Sequence, residues 1–89
     1  MAETRHVLFY EYVGDILERR DPFRADHLGA IRAAQDDGRI LQAGPLGDPP
    51  HGAAIVFADA AAAEAFARED PYVTNGLVTG WRVEPWTLV

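Results

Sequence analysis

The sequence predicts an α+β domain in which four strands form one antiparallel sheet and two helices cover one of its faces. Four runs rich in β-branched and aromatic residues alternate with two helical patterns in the order βαββαβ. Each half of the chain therefore carries one crossover helix, and two such halves side by side give the ferredoxin-like arrangement. The 89 residues leave room for one domain, residues 1–89.

The first strand is predicted over residues 6–12, which are β-branched and aromatic and end near Gly14. Because side chains alternate along a strand, both faces receive apolar residues: His6, Leu8, Tyr10 and Tyr12 on one, Val7, Phe9 and Glu11 on the other. Two helices can cover only one face of the sheet. The other face is expected to meet a second sheet or a partner subunit.

The first helix is predicted to begin with Asp21 as N-cap and Pro22 in the first helical position, and to run to Asp37. Gly38 is the expected C-terminal cap, and a helical turn can precede the helix at residues 15–20. Its inward stripe recurs at helical spacing and comprises Phe23, His27, Ile31 and Ala34, with Leu28 beside it. This stripe is expected to face the sheet.

A short second strand over residues 39–43 is expected to be halted by Gly44 and Pro45, and a turn-rich connection follows over residues 46–52. Residues 53–58 predict the third strand. Both strands are short and apolar, as expected of strands that pair within one sheet.

Asp59 is expected to cap a second helix over residues 60–69, which the Asp70-Pro71 dipeptide ends because a residue before proline avoids helical angles. A turn over residues 72–76 leads to the fourth strand, residues 77–86. Pro85 predicts that this strand lies at an edge of the sheet or ends there.

Charge and hydropathy exclude several classes of protein. The net charge of −6 and a pI near 4.8 argue against binding to nucleic acid or an anionic membrane, because phosphate requires a basic face. The arginines of residues 19–24 are flanked by Glu18, Asp21 and Asp26, so this segment is interpreted as a solvated helix start. No apolar run is long enough to span a membrane and residues 1–3 lack a basic signal start, so a cytoplasmic location is expected.

Three common nucleophiles are missing, since the sequence contains no serine, no lysine and no cysteine. This excludes serine and cysteine hydrolases, Schiff-base lysines and P-loop nucleotide hydrolases within the chain. No nucleotide motif is present, and no cofactor is expected. Any chemistry must use histidine, carboxylates, tyrosine, threonine or the backbone.

Several spaced segments resemble the YciI-like (YCII-related) family over residues 6–86. Their order and spacing make the resemblance specific; the segments are Arg24-Ala25-Asp26-His27-Leu28, Gly38-Arg39-Ile40-Leu41, Ala43-Gly44-Pro45-Leu46, Asp70-Pro71-Tyr72, Gly76-Leu77-Val78 and Val83-Glu84-Pro85-Trp86. The resemblance implies a ferredoxin-like fold that dimerises through the open sheet face into a dimeric α+β barrel. It also implies a His–Asp pair in a small pocket, at His27 and Asp70, and relatives that degrade hydroxylated or chlorinated aromatics.

The predicted topology agrees with such a pair. The start of helix one and the end of helix two lie side by side, which brings His27 near Asp70 although 43 residues separate them. Asp70 could then orient the imidazole and raise its basicity, making His27 a general acid or base. Substrate-binding candidates at the same rim are Tyr10, Gly44, Pro45 and Tyr72.

Simpler interpretations compete with each of these assignments. A histidine on an inward stripe is often a hydrogen-bonded core residue, Asp70 before Pro71 is a natural N-cap, and strand aromatics more often serve a core or a dimer interface. His6 and His51 lack ligand spacing, so no metal site is expected.

Three functions remain open on the sequence. The first is a cofactor-free enzyme for isomerisation, elimination or dehydrochlorination of a small hydroxylated or aromatic compound. The second is a non-catalytic module that binds a small molecule or a larger partner through the same cleft, and the third is a dimerisation domain. The expected partners are a second copy of the chain, with higher homo-oligomers possible, and a small-molecule ligand.

Overall fold

The computed structural model describes residues 3–89 and contains four strands and four helices within that range. The elements are β1 (Thr4–Tyr12), α1 (Ile16–Arg19), α2 (Asp21–Asp36), β2 (Ile40–Leu46), β3 (Gly52–Phe57), α3 (Ala60–Glu69), α4 (Pro71–Thr74) and β4 (Val78–Thr87). The strands form one antiparallel sheet in the order β2-β3-β1-β4. This confirms the predicted α+β, ferredoxin-like architecture, while the assignment of residues 1–89 to one domain stays a prediction.

The main core lies between the sheet and the two long helices. Leu8 and Tyr10 of β1 point into it beside Ile55 and Phe57 of β3, and all four are buried. Across from them lie apolar side chains of α2 and α3, including Ala34, Ala63, Phe66 and Ala67. The predicted alternation of β1 is therefore correct, and the side chain of Tyr10 lies on the side of the sheet that the helices cover.

Several predicted boundaries differ from the structure: β1 begins two residues early, at Thr4, and the predicted turn over residues 72–76 contains α4. Two other differences have a local reason. Asp21 is not an N-cap: the backbone of Arg20 is already helical, and no side chain caps this end, so Asp21 is the first residue of α2. Gly44 and Pro45 do not halt β2, which continues to Leu46. Because β2 is an edge strand, a proline can occupy it without removing a bond from a second neighbour.

The helix ends follow the predicted chemistry elsewhere. Asp59 caps α3 by accepting a hydrogen bond from the Ala62 N–H at 2.8 Å. Gly38 follows α2 with a φ of 84°, a left-handed conformation that glycine adopts without steric cost. The helical turn expected before α2 is α1, and Pro85 lies on β4, the other edge strand.

The sheet face opposite the helices, the open face, carries apolar side chains from three strands. Val7 and Val56 lie directly opposite each other in the β1–β3 pairing, and Phe9 lies under the Arg82 guanidinium at 4.5 Å. Trp86 is 49% exposed beside them. Within residues 3–89, no helix is long and apolar enough to cross a membrane; the cytoplasmic location stays a prediction.

Candidate functional site

Asp70 occupies the junction between α3 and α4, where one residue ends the first helix and begins the second. Its backbone N–H donates to the Phe66 carbonyl, and its Oδ1 accepts the Tyr72 N–H at 3.0 Å. Pro71 follows in the first turn, which keeps Asp70 extended. The junction thus fixes both the position and the direction of the carboxyl group, as the capping interpretation predicts.

The same carboxyl group accepts side-chain hydrogen bonds from two other elements. His27 Nδ1 lies 2.8 Å from Oδ1 and 2.9 Å from Oδ2, and the Tyr10 hydroxyl donates to Oδ2 at 2.7 Å. Asp70 is only 1% exposed. A buried carboxylate is costly unless it is hydrogen-bonded, and these donors from β1, α2 and α4 compensate it.

His27 lies in the second turn of α2 and is 5% exposed. Because a carboxylate can only accept hydrogen bonds, the contact with Asp70 requires the proton of the neutral imidazole to be on Nδ1. The Nε2 atom then carries a lone pair, and it makes no hydrogen bond with any residue of the described range. Nε2 is the atom of the pair that is left for a ligand.

The imidazole is also held from its flat side. Tyr72 stacks on His27 with ring centroids 3.7 Å apart and an interplanar angle of 5°. Tyr12 meets Tyr72 edge to face, with centroids 6.1 Å apart. Rotation of the His27 ring would break the hydrogen bonds to Asp70 and the stack on Tyr72 together, so its orientation is doubly constrained.

The tyrosines around the pair are held in their neutral form. Burial, followed by the charge of Asp70 and the hydrogen bond to it, raises the pKa of Tyr10 far above its usual range. Burial, with the neighbouring Tyr72 and Asp70, raises the pKa of Tyr12 to about 12. Burial also raises the pKa of Tyr72, against an opposing effect of Arg20 and Arg24. All three hydroxyls are therefore hydrogen-bond donors at neutral pH.

A cavity of about 180 Å³ lies between α2 and the sheet, and His27 is one of the residues that line it. Its wall is mostly apolar, and its polar groups come from His27, Tyr12, Tyr72, Arg20 and Arg24. The apolar remainder comprises Ile16, Leu28, Ile31, Ala43, Gly44, Pro45, Pro50, Ala53 and Ile55. An engineered apolar cavity of about 150 Å³ binds benzene, so this volume accommodates a ligand with a single ring.

The structure separates the predicted site residues into two layers. His27, Gly44, Pro45 and Tyr72 line the cavity. Asp70 and Tyr10 lie behind the imidazole, so Tyr10 contacts the carboxylate rather than the cavity.

The prediction of a solvated helix start is wrong for Arg20, which lines the cavity with a buried Nε, and Arg24 lines it too. A sequence signal was present, because positions 20, 24, 27 and 31 share one helical face.

The fold and the site together define a small α+β protein. Its cavity is large enough for a ligand with a single ring and is lined by a histidine that is hydrogen-bonded to a buried carboxylate. The chain belongs to the YCII-related domain family, whose sequence model matches residues 4–87. It is 33% identical to the protein YciI of Escherichia coli O6:H1 and to that of Shigella flexneri, over 94% of this chain and 97% of each relative. A Haemophilus influenzae protein is 30% identical over the same shares.

A solved structure with the same fold is the 5-chloro-2-hydroxyhydroquinone dehydrochlorinase TftG of Burkholderia phenoliruptrix AC1100, in complex with 2,5-dihydroxybenzoquinone. The TM-score is 0.74, and the alignment covers 92% of each chain. Because the sequence identity is 20%, the similarity between the two structures shows the fold alone.

Proposed function

We propose that this chain is a cofactor-free enzyme in which His27 transfers a proton during isomerisation, elimination or dehydrochlorination of a small hydroxylated or aromatic compound. The observation that carries the proposal is the pair of contacts from His27 Nδ1 to Asp70, which leaves a lone pair on the Nε2 atom of a residue that lines the cavity. Histidine is the most common general acid–base residue, and a carboxylate behind it fixes the tautomer that acts as a base.

The proposed step begins with Nε2 as general base. It removes a proton from a substrate hydroxyl or from a carbon next to a carbonyl group, and the imidazolium that forms is stabilised by the charge of Asp70. The electron pair left on the substrate either expels a leaving group such as chloride or moves the double bond. In an isomerisation the imidazolium returns the proton at another position of the substrate, and in an elimination it releases the proton to solvent after chloride has left. In both cases the enzyme ends in its starting form.

Size and surroundings of the cavity support a one-ring substrate. Tyr12 and Tyr72 offer aromatic edges and hydroxyl donors, while the apolar wall favours a ring over a sugar or a peptide. TftG, which shares the fold, is a dehydrochlorinase of a chlorinated hydroxyhydroquinone. We therefore place hydroxylated and chlorinated benzenes first among compounds to test.

The experiment is a turnover assay on a panel of hydroxylated and chlorinated monocyclic aromatics, followed by ultraviolet absorbance and chloride release. His27→Gln is expected to lower kcat at least about 100-fold, the usual contribution of a general acid–base group. His51→Gln is the matched control, because His51 is exposed in the β2–β3 connection and does not line the cavity. Full activity of His27→Gln on a turned-over substrate would contradict the proposal. Saturable binding without turnover would support the non-catalytic binding module instead.

We also propose that two copies of the chain associate through the open face. No helix covers this face, where Trp86 is 49% exposed and Phe9 is half-buried beside the buried Val7 and Val56. Light scattering is expected to give about twice the 9.8 kDa mass of one chain, or a higher multiple for a larger assembly. Trp86→Glu should weaken association, whereas Leu17→Glu, on the similarly exposed Leu17 of α1, should not. A monomeric mass at micromolar concentration would contradict this.

A further inference from the structure

Tyr12 is the last residue of β1, and hydrogen bonds on both sides of the strand fix its backbone. Its N–H donates to the His51 carbonyl at 2.9 Å, and the next N–H along the chain donates to the Leu77 carbonyl at 2.9 Å. The ring packs edge to face on Tyr72 and lines the same cavity as His27. The sheet therefore sets the place of Tyr12 in the cavity wall.

The Tyr12 hydroxyl makes no hydrogen bond with any residue of the described range. In that range the one buried side-chain nitrogen or oxygen without a partner is Arg20 Nε, so the Tyr12 oxygen is accessible to solvent. Tyr12 also lies outside the segments that carry the family resemblance, so no role follows from that resemblance. An accessible and unpartnered hydroxyl in a cavity wall is available to a ligand oxygen.

The hydroxyl of Tyr12 and the imidazole of His27 offer opposite hydrogen-bonding capacities to such a ligand. Burial raises the pKa of Tyr12 to about 12, so the phenol keeps its proton at neutral pH and is a donor. The neutral imidazole carries its proton on Nδ1, toward Asp70, and has a lone pair on Nε2. A base and a neutral donor are the two groups that proton removal next to a carbonyl group requires, because the donor stabilises the oxygen that becomes negative.

We propose that the Tyr12 hydroxyl donates a hydrogen bond to a carbonyl oxygen of the substrate, so that the substrate is a one-ring carbonyl compound. A polyhydroxylated benzene belongs to this class through its keto tautomer. This rests on the proposed function for the reaction and adds the residue that binds the reacting oxygen.

The hydrogen bond acts on the charge that forms during proton transfer. His27 Nε2 takes the proton from the carbon next to the carbonyl group, the electron pair of that C–H bond forms a C=C bond, and the carbonyl oxygen becomes negative. When the C=O bond re-forms, the C=C electron pair either expels chloride from the neighbouring carbon or takes up the proton that His27 returns at another carbon. Tyr12 keeps its own proton throughout and stabilises the negative oxygen.

The first test compares acetophenone with α-methylstyrene, which has the same shape but carries a CH₂ group in place of the carbonyl oxygen. Because the chain contains three tyrosines, ¹³Cζ labelling of tyrosine lets an NMR titration follow the Tyr12 signal. Acetophenone is expected to shift this signal saturably and to bind about fivefold more tightly than α-methylstyrene, as one net hydrogen bond provides.

Tyr12→Phe should abolish the preference for acetophenone and leave α-methylstyrene binding unchanged, because it keeps the ring that packs on Tyr72. Unchanged α-methylstyrene binding also reports an intact cavity, and the wild-type comparison decides the matter if the variant fails to fold. Thr79→Val is the matched control: it removes a hydroxyl that bonds the Glu11 carbonyl next to Tyr12 and does not line the cavity. This variant should keep the preference.

On any compound that the enzyme turns over, Tyr12→Phe is expected to lower kcat about 100-fold and to raise KM less than about tenfold, because the bond strengthens as charge develops. A preference for acetophenone that survives in Tyr12→Phe, no preference in wild type, or no saturable shift would overturn the proposal. Tyr12-dependent acetophenone binding in a protein that turns nothing over would refute the enzyme and leave the role of Tyr12 standing. Turnover that depends on His27 and is unchanged in Tyr12→Phe would do the reverse.

Discussion

His27 and Tyr72 lie face to face, with ring centroids 3.7 Å apart and planes within 5° of parallel. Tyr72 is two residues after Asp70, and its N–H donates to the carboxylate that binds His27. One short segment at the start of α4 therefore holds the imidazole both by its edge and by its flat side. Positioning of this kind restricts the ring to one orientation, with Nδ1 on Asp70 and Nε2 on the opposite side of the ring.

Asp70→Asn is expected to change the tautomer of His27. The Asn side chain has one acceptor oxygen and adds an NH₂ donor, which is satisfied best when Nδ1 becomes the acceptor and the proton moves to Nε2. Imidazole ¹⁵N chemical shifts should therefore report the Nδ1–H form in wild type and a larger Nε2–H fraction in the variant. His6 and His51 provide internal controls, and an unchanged His27 spectrum would contradict the assignment.

Tyr10→Phe is expected to destabilise the fold by about 1–3 kcal/mol, because it removes one donor from a fully buried carboxylate. Urea unfolding measures this change. Tyr12→Phe is the matched control: the Tyr12 hydroxyl makes no side-chain hydrogen bond among the described residues, and its loss should stay within about 0.5 kcal/mol. Equal effects of the two variants would show that the Tyr10–Asp70 bond contributes little.

Stability is expected to fall at alkaline pH, starting near pH 10. The pKa of Tyr10 is raised in the folded chain, mainly by burial, so the unfolded chain loses this proton first and is favoured as the pH rises. The contribution of Tyr10 to the free energy of unfolding is fully present below pH 10. Above pH 10 it decreases by up to about 1.4 kcal/mol per pH unit, until the pH reaches the pKa of Tyr10 in the folded chain. Unfolding from pH 8 to 11.5 should show a shallower decline in Tyr10→Phe, and identical slopes would argue against it.

Gly52→Ala is expected to destabilise the sheet next to the site. A Cβ at Gly52 would collide with the carbonyl oxygen of Tyr10, a backbone atom that cannot move without separating β3 from β1. A loss of about 1–3 kcal/mol is expected, as for other overpacked positions. Gly29→Ala is the control, because nothing lies within 4 Å of its Cβ and alanine favours a helix by about 0.5–1 kcal/mol. Thermal unfolding should move the two midpoints in opposite directions, and a stabilised Gly52 variant would refute the close approach.

Much of the fold was predictable because its signals are local. The alternation of β1 placed Leu8 and Tyr10 on the core face, and Asp59 and Gly38 marked helix ends through their own backbone chemistry. The predictions at Asp21 and Pro45 were wrong because each depends on its surroundings in the fold, which local sequence rules do not describe. Arg20 was already helical, and β2 was an edge strand without a second partner.

The sequence by itself determined the element order, the absence of common nucleophiles and the residue types from which a site could be built. Family resemblance singled out His27 and Asp70, and topology allowed them to meet. Only the tertiary structure decided that the Tyr10 hydroxyl donates a hydrogen bond to Asp70 and does not line the cavity, whereas Arg20 and Arg24 do line it. The physical reason is that hydrogen-bond partners and burial depend on packing between segments distant in the chain: Asp70 is 60 residues from Tyr10 and 43 from His27.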